Sequence, residues 1–237
     1  MHKKLFIKVD NQKLKGTIFY PKKIKNKNPA ILFIHGWTSN ETGYVPRAKA
    51  LCSLGFICLT FNLRGHNGEQ KDLDKFSRRD HLEDSLAAYN FLSSLREIDK
   101  NQIGVVGASY GAYLASILSS KKKLKWLALR APALFKNKEF DMPTQEVVSK
   151  REEDFFQEMI PKKNNFALKG IKNFKGKLLL IESENDEIIP NKIIKYYLNS
   201  KKNASHSIIR KADHALLKDK WRREFIEILV KWFKERS

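Results

Sequence analysis

Short apolar runs alternate with amphipathic segments of helical period along most of this 237-residue chain. Parallel strands need long crossover connections, usually helices, so the alternation predicts a parallel sheet covered by helices on both faces. The chain begins differently, because KLFIKVD and LKGTIFY flank only the short NQK and predict an antiparallel hairpin. The predicted fold class is therefore α/β. The later strand segments are AILFIHG, FICLTFN, QIGVVG, LKWLALRAP, KLLLIES and SHSIIRK.

Nothing in the composition divides the chain into two parts. No segment rich in Pro, Gly and Ser separates two halves, and 42% hydrophobic residues over 237 positions suffice for one core. We therefore expect a single domain over residues 1–237. The one interval outside the strand–helix rhythm is 133–175, which is polar and charged and contains EEDFFQEMIP.

The chain shows no segment typical of export or membrane insertion. MHKKLFIKVD alternates apolar and polar residues, and no apolar run reaches about 18 residues. Cys52 and Cys58 stand in apolar surroundings, which favours core packing in a reducing compartment over a redox role. These features predict a cytoplasmic protein without a membrane span. Association into a homodimer stays open.

The net charge of +20 raises the question of nucleic-acid binding, because clustered Lys and Arg bind phosphate backbones. The basic residues are mostly lysines in short groups such as PKKIKNK, SKKKLK and NSKKN, without interleaved aromatic residues. This distribution is typical of a solvated surface with a weak attraction for anions. We expect no specific nucleic-acid partner.

The segment IGVVGASYGAYLASIL places Ser109 between Gly107 and Gly111, where a predicted strand meets a predicted helix. In the pattern G-x-S-x-G the turn is so sharp that the serine is strained and its hydroxyl projects over the sheet. The helix N-terminus there favours developing negative charge. A dinucleotide-binding turn needs G-x-G-x-x-G and a P-loop needs GK[ST], and the segment contains neither. The spacing favours a nucleophilic serine.

A serine hydroxyl needs a base, and the base needs an acid that orients it. Asp186 follows the strand KLLLIES, and His214 follows the strand SHSIIRK. Ser109, Asp186 and His214 thus occur in the chain order serine, acid, histidine, and each follows a predicted strand. Glu184 is the alternative acid. Other carboxylates near these motifs are Glu182, Glu187 and Asp213.

An acyl transfer also needs two fixed donors for the oxyanion. The backbone N–H of Tyr110 follows the nucleophile, and the N–H of Trp37 in FIHGWTSN is the expected second donor. We interpret His35 as a structural hydrogen-bonding residue. The remaining histidines show no spacing such as H-E-x-x-H, so we predict neither a metal nor another cofactor.

The motifs HGWTSN, NLRGHNGE, GASYGA, ENDEIIP and ADHAL together resemble the α/β-hydrolase superfamily over nearly the whole chain. Within it the chain looks like the dienelactone-hydrolase-like and cinnamoyl (feruloyl) esterase group, and it is more distantly similar to the catalytic domain of prolyl oligopeptidases. The resemblance implies an α/β-hydrolase fold with a mostly parallel eight-stranded sheet, helices on both faces and a small cap insertion at 133–175. In NLRGHNGE, Arg64, Gly65 and His66 match a loop motif of the superfamily.

Two departures from the resembling group bear on the substrate. Dienelactone hydrolases proper use a cysteine nucleophile where this chain has Ser109, and the usual aspartate before the Arg-Gly-His loop is Asn62 here. The resemblance also implies that the cap covers the active site. Its apolar side chains would then line an acyl pocket or form the buried stripe of a cap helix. They are Phe155, Phe156 and Met159.

These features predict a serine hydrolase that cleaves carboxylic esters of small to medium acyl groups through an acyl-enzyme. Thioesters and small peptides or amides follow the same route and stay open as substrates. A different class of function also stays open, because a fold does not fix a function. In that case the chain would be a non-catalytic protein that binds polyanions.

Overall fold

The computed structural model describes residues 1–66, 74–149 and 164–236, and the strands in these ranges form one eight-stranded sheet. The strands are β1 (His2–Val9), β2 (Gln12–Phe19), β3 (Asn28–Ile34), β4 (Ile57–Phe61), β5 (Ile98–Ala108), β6 (Trp126–Arg130), β7 (Lys177–Ser183) and β8 (Ser205–Ile209). Their spatial order is β1-β2-β4-β3-β5-β6-β7-β8. Strand β2 is antiparallel to β1 and β4, and the other neighbours are parallel. The predicted mostly parallel sheet and the N-terminal hairpin are confirmed.

Helices pack on both faces of the sheet. The described helices are α1 (Val45–Ser53), α2 (Arg78–Ser94), α3 (Tyr110–Leu118), α4 (Thr144–Ser149), α5 (Phe166–Asn173), α6 (Asn191–Ser200) and α7 (Asp219–Lys234). Buried side chains of α1 and α7 share one apolar cluster with one face of the sheet. Those of α2, α3, α5 and α6 share a second cluster with the other face. Because both faces are covered, β4 is buried at every residue, which explains its continuous apolar sequence.

Local sequence signals account for where helices begin and end. Helix α2 begins after a capping box, in which the Ser77 side chain accepts the N–H of Asp80 and the Asp80 carboxylate accepts the N–H of Ser77. After α1, Gly55 adopts a φ of 96°, a conformation that favours glycine and ends the helix. The amphipathic segments of helical period therefore form helices, with ends set by these local signals.

The interval 133–175 is only partly an insertion. Its described residues include a 3₁₀ turn at Asn137–Glu139, helix α4 and helix α5. Helix α5 belongs to the layer of helices on the sheet, because it packs closely against α3. A cap over the site therefore excludes α5. Among the described helices, none combines the length and apolarity needed to cross a bilayer.

Candidate active site

Ser109 stands between β5 and α3 in a strained backbone conformation, with φ 53° and ψ −117°. Its neighbours have no room for side chains. A Cβ on Gly107 would lie 2.6 Å from the carbonyl oxygen of Gly111, and a Cβ on Gly111 would lie 2.2 Å from that of Ile34. The two glycines are therefore required by close backbone approach, and the sharp turn holds the Ser109 hydroxyl above the carboxyl end of β5.

The loops after β7 and β8 bring an acid and a base to that hydroxyl. The Nε2 atom of His214 lies 3.0 Å from Oγ of Ser109, and its Nδ1 atom lies 2.9 Å from each carboxylate oxygen of Asp186. A carboxylate only accepts, so Nδ1 carries the proton and Nε2 accepts from the Ser109 hydroxyl. Both partner side chains are largely buried, with 13% of His214 and 7% of Asp186 exposed.

Backbone amides hold the Asp186 carboxylate in place. Its Oδ1 accepts the N–H of Ile188 at 3.0 Å and the N–H of Ile189 at 2.7 Å. The His214 backbone N–H donates to Oε2 of Glu187 at 3.0 Å. Asp186, His214 and the two loops that carry them are thus hydrogen-bonded to one another without the help of Ser109. These bonds fix the orientation of the imidazole before any substrate binds.

The other carboxylates near these motifs have different partners. Glu184, the alternative acid, accepts from Arg210 at 2.5 Å and from the N–H of Lys211 at 2.8 Å. Glu182 accepts from Asn191 and lies beside His206, and Asp213 accepts the N–H of Leu217. The structure therefore joins Asp186 to His214 and directs Glu184 to the neighbouring strand end.

The two expected oxyanion donors lie beside Ser109. Tyr110 is the first residue of α3, where backbone N–H groups have no acceptor within the helix. Trp37 follows Gly36, whose Cβ position lies 3.6 Å from Cβ of Ser109, so the loop after β3 touches the elbow. The indole of Trp37 packs edge-on against the ring of Tyr110, with centroids 5.1 Å apart. Packing therefore holds both Trp37 and Tyr110 beside Ser109.

A buried polar network that the sequence interpretation missed lies behind these donors. Nε2 of His81, on α2, donates to the carbonyl oxygen of Arg64 at 3.0 Å, because a carbonyl only accepts. Its Nδ1 atom therefore accepts the Tyr110 hydroxyl at 2.8 Å. Asp84 accepts from the backbone N–H and from Nε of Arg64, at 2.8 and 2.7 Å. The network ties α2 and the loop after β4 to the residue that follows Ser109.

The sequence contains a partial signal for this network. Ser77, Asp80, His81 and Asp84 recur at the spacing i, i+3, i+4 and i+7, which places them on one face of α2. A polar stripe of this kind is usually solvated, so its burial becomes visible only when the fold brings Arg64 to it. His35, by contrast, has the structural role expected of it: Nδ1 donates to the carbonyl of Gly36 and Nε2 accepts the N–H of Leu63.

Burial determines the charge of the three histidines near Trp37. Desolvation lowers the pKa of His35 to about 3 and lowers the pKa of His81 well below its usual range, with repulsion from His66 adding to both. Desolvation also lowers the pKa of His66. All three are therefore neutral at pH 7, and the packing of His66 and His81 against the Trp37 ring involves no charge.

Three predicted substrate-binding residues and the predicted absence of a metal remain to be considered. Phe155, Phe156 and Met159 lie outside the residues that the structure describes. Within the described residues, His, Cys, Asp and Glu side chains form no group of three or more that is arranged to hold a metal ion.

The sheet order and the elbow define an α/β-hydrolase fold, and comparison with known proteins gives the family. The model of the prolyl oligopeptidase family (Peptidase_S9) matches residues 42–237, and the chain belongs to this family of α/β serine hydrolases. An uncharacterized protein of Mycobacterium tuberculosis strain H37Rv is 29% identical over 117 residues, which cover 49% of this chain and 41% of that protein. The chain thus spans less than half of that relative's length.

Solved structures share the fold at low sequence identity. Est1E from Butyrivibrio proteoclasticus with bound ferulic acid has a TM-score of 0.74 and 17% identity, covering 98% of this chain and 96% of its own. Dienelactone hydrolase from Anabaena variabilis has a TM-score of 0.71 and 16% identity, covering 99% and 97%. Pyrococcus horikoshii acylaminoacyl peptidase has a TM-score of 0.75 and 20% identity, covering 99% of this chain and 41% of its own. The expected superfamily resemblance is confirmed.

Proposed function

We propose that this chain hydrolyses carboxylic esters of small to medium acyl groups, with Ser109 as nucleophile, His214 as general base and Asp186 as the acid that orients the histidine. The observation that supports this proposal most directly is the continuous line of hydrogen bonds from Ser109 through His214 to Asp186. Such a line activates a hydroxyl that is otherwise a weak nucleophile at neutral pH.

The proposed reaction follows from the proton positions. His214 Nε2 takes the proton of Ser109 while the hydroxyl oxygen attacks the ester carbonyl carbon. The backbone N–H groups of Trp37 and Tyr110 stabilise the negative charge on the carbonyl oxygen. The imidazolium, stabilised by Asp186, protonates the departing alcohol and leaves an acyl-enzyme. Water that loses a proton to His214 then attacks the acyl carbon and releases the acid.

A second candidate is the hydrolysis of small peptides or other amides, which the family match favours. The same residues serve both reactions, but an amine leaves only when it is protonated, so the histidine must deliver its proton earlier in the transition state. A pair of substrates with one acyl group, an aryl ester and the matching anilide, separates the candidates. We expect the ester to have the higher kcat/KM, relative to the spontaneous rates; the reverse order would support the peptidase.

Removal of the Ser109 hydroxyl tests both candidates together. We expect Ser109→Ala to lose covalent labelling by a fluorophosphonate and to lose turnover by roughly 10⁴-fold or more. Circular dichroism and the urea midpoint serve as controls for folding. Turnover that survived in the folded variant would contradict the serine mechanism itself.

We further propose that part of 133–175 other than α5 forms a cap, and that Phe155, Phe156 and Met159 line an acyl pocket. One methylene in an apolar pocket contributes about 1–3 kcal/mol to transition-state binding, and kcat/KM changes accordingly. Phe155→Ala and Phe156→Ala should therefore change the preference between short and long acyl esters. Equal losses for all chain lengths would assign these side chains to packing.

A further inference from the structure

The two cysteines lie on neighbouring elements, one on helix α1 and the other on strand β4 of the sheet beneath it. Cys52 on α1 and Cys58 on β4 belong to the same apolar cluster, whereas Ile57 and Leu59, the strand neighbours of Cys58, point to the opposite face. Both thiols are free, and helix α1 packs directly against strand β4. The two side chains therefore share the apolar layer between α1 and β4.

Of the two cysteines, only Cys52 retains any solvent-exposed surface. Cys52 is 8% exposed and Cys58 is 0% exposed. Cys52 lines a cavity of about 760 Å³ near the amino end of β4. Ser109, Asp186 and His214 follow the carboxyl ends of their strands, so the cavity and the candidate active site lie at opposite edges of the sheet.

The cavity wall carries positive charge. Lys22, Lys23, Lys25 and Lys49 line it together with Cys52. Positive charge at the wall favours the approach of anionic reagents to the cavity. Interaction with the Cys58 side chain lowers the pKa of Cys52, and burial raises the pKa of Cys58. The accessible thiol is thus the one that ionises first, and the buried thiol keeps its proton.

We propose that Cys52 and Cys58 form a thiol modification site, in which Cys52 reacts with a peroxide that enters through the lysine-lined cavity and Cys58 then closes a disulfide. The Cys52 thiolate attacks one peroxide oxygen, the O–O bond breaks, and the leaving oxygen takes a proton, which leaves a sulfenic acid. The Cys58 sulfur attacks the sulfenic sulfur, loses its proton and displaces the hydroxyl as water. Both thiols are oxidised together by two electrons, which the peroxide accepts.

Titration of the pure protein with hydrogen peroxide tests the site. After quenching and denaturation, we expect the wild-type chain to lose both alkylatable thiols, to lose two hydrogens in mass and to regain both thiols with dithiothreitol. In Cys58→Ser the sulfenic acid on Cys52 should persist and be trapped by dimedone. In Cys52→Ser the Cys58 thiol should stay reduced. Two reduced thiols in the wild-type chain, a link between two chains, or equal reactivity of the two single variants would each overturn the proposal.

The lysines are tested with two disulfide reagents on the native chain. Dithiobis(nitrobenzoate) is anionic and dithiodipyridine is neutral, so positive charge at the cavity should favour the first. We expect Lys23→Gln with Lys49→Gln to slow the anionic reagent roughly tenfold relative to the neutral one. Equal slowing of both reagents would mean that the charge does not act at Cys52. Because these reactions do not need Ser109, Ser109→Ala should give the same results, so failure here is distinguishable from failure of the proposed hydrolase.

Discussion

At the scale of single residues, the site depends on which carboxylate reaches the imidazole. Asp186 and Glu184 are two positions apart, yet only Asp186 contacts His214, while Glu184 contacts Arg210 and Lys211. Asp186 also accepts two backbone N–H groups from the turn that follows it. This turn aims its side chain at the histidine.

An amide at position 186 should therefore disable the reaction. Asp186→Asn keeps the shape of the side chain but favours the wrong histidine tautomer and cannot stabilise the imidazolium, a defect of about 10⁴ in kcat in a serine protease. The matched control is Glu184→Gln, which we expect to be nearly normal. Steady-state kcat at neutral pH is the measurement. If the two variants exchanged these outcomes, the acid would be Glu184.

The Tyr110 hydroxyl belongs to the buried network and not to the oxyanion donors. Tyr110→Phe leaves the Nδ1 acceptor of His81 unpaired in a site that excludes water, so we expect the free energy of unfolding to fall by about 1–3 kcal/mol. Tyr113→Phe is the matched control, because the Tyr113 hydroxyl has no hydrogen-bond partner among the described residues. Urea denaturation should rank Tyr110→Phe well below Tyr113→Phe. Equal stabilities would mean that the His81 contact contributes nothing.

The sequence was sufficient for the residues with local signals and insufficient for the others. Ser109 is marked by its two glycines, and Asp186 and His214 by their positions after strands. His81 and Asp84 carry no such mark, because the polar stripe of α2 has the same spacing whether it faces solvent or Arg64. Residue spacing does not distinguish Asp186 from Glu184, because it does not encode the geometry of a loop.

At the scale of elements, the contact between α3 and α5 is the closest helix packing near the elbow. A Cβ placed on Gly170 of α5 would lie 2.0 Å from the carbonyl oxygen of Ser116 on α3. The backbones approach each other so closely that only hydrogen fits between them. This contact supports α3, the helix that follows Ser109.

Gly170→Ala should therefore destabilise the protein, although alanine is normally the better helix former. We expect a loss of about 1–3 kcal/mol, because the helix must move away from α3. Gly43→Ala offers a control of the same chemistry, since its Cβ would lie 3.6 Å from the nearest atom, an ordinary contact. Thermal unfolding of both variants measures the difference. A stabilised Gly170→Ala variant would show that the close approach is not maintained in solution.

Helix α5 also shows where sequence interpretation of elements fails. Strands and long amphipathic helices were predicted in place because their periodicity is strong. The segment FALKGIKN lies in an interval that is otherwise polar, so it was grouped with the cap. Only the position of β7 beside β6 shows that a crossover helix must fit there.

At the scale of the whole molecule, buried titratable groups connect folding to pH. His35, His66 and His81 are neutral in the folded protein at pH 7, and burial lowers the pKa of each below its value in the unfolded chain. Burial raises the pKa of Asp84 to about 7, although Arg64 opposes the shift, so this group acts in the opposite sense. Three groups against one give the folded state a net loss of stability in acid.

The free energy of unfolding should fall as pH falls from about 6.5 to 4. In this window the unfolded chain binds about one to two more protons than the folded one, which corresponds to about 1.4–3 kcal/mol per pH unit. Above about pH 7 the dependence on these groups should disappear. Urea titrations at several pH values measure the slope, and His66→Gln should make it shallower. A slope of opposite sign would mean that the histidines ionise inside the fold.

The charge of +20 acts on the molecule as a whole. Scattered lysines attract polyanions without recognising a sequence. At 0.1 M salt this attraction is largely screened beyond the Debye length of about 10 Å. We expect any DNA binding to disappear between low and moderate salt, while hydrolysis of a neutral ester stays constant. Gel shift and ester assays on one salt series measure both. Salt-resistant, sequence-dependent DNA binding would instead favour the non-catalytic alternative.

The positive φ of Ser109 sets heat resistance and turnover against each other at a single position. Every L-residue placed there keeps the cost of that conformation, about 1–3 kcal/mol, and only glycine escapes it. Ser109→Gly should therefore melt at a higher temperature than Ser109→Ala, although both lack the hydroxyl. Selection for thermal tolerance alone would move this position toward glycine and remove the proposed nucleophile. Any engineering of a more robust variant has to gain its stability elsewhere in the chain.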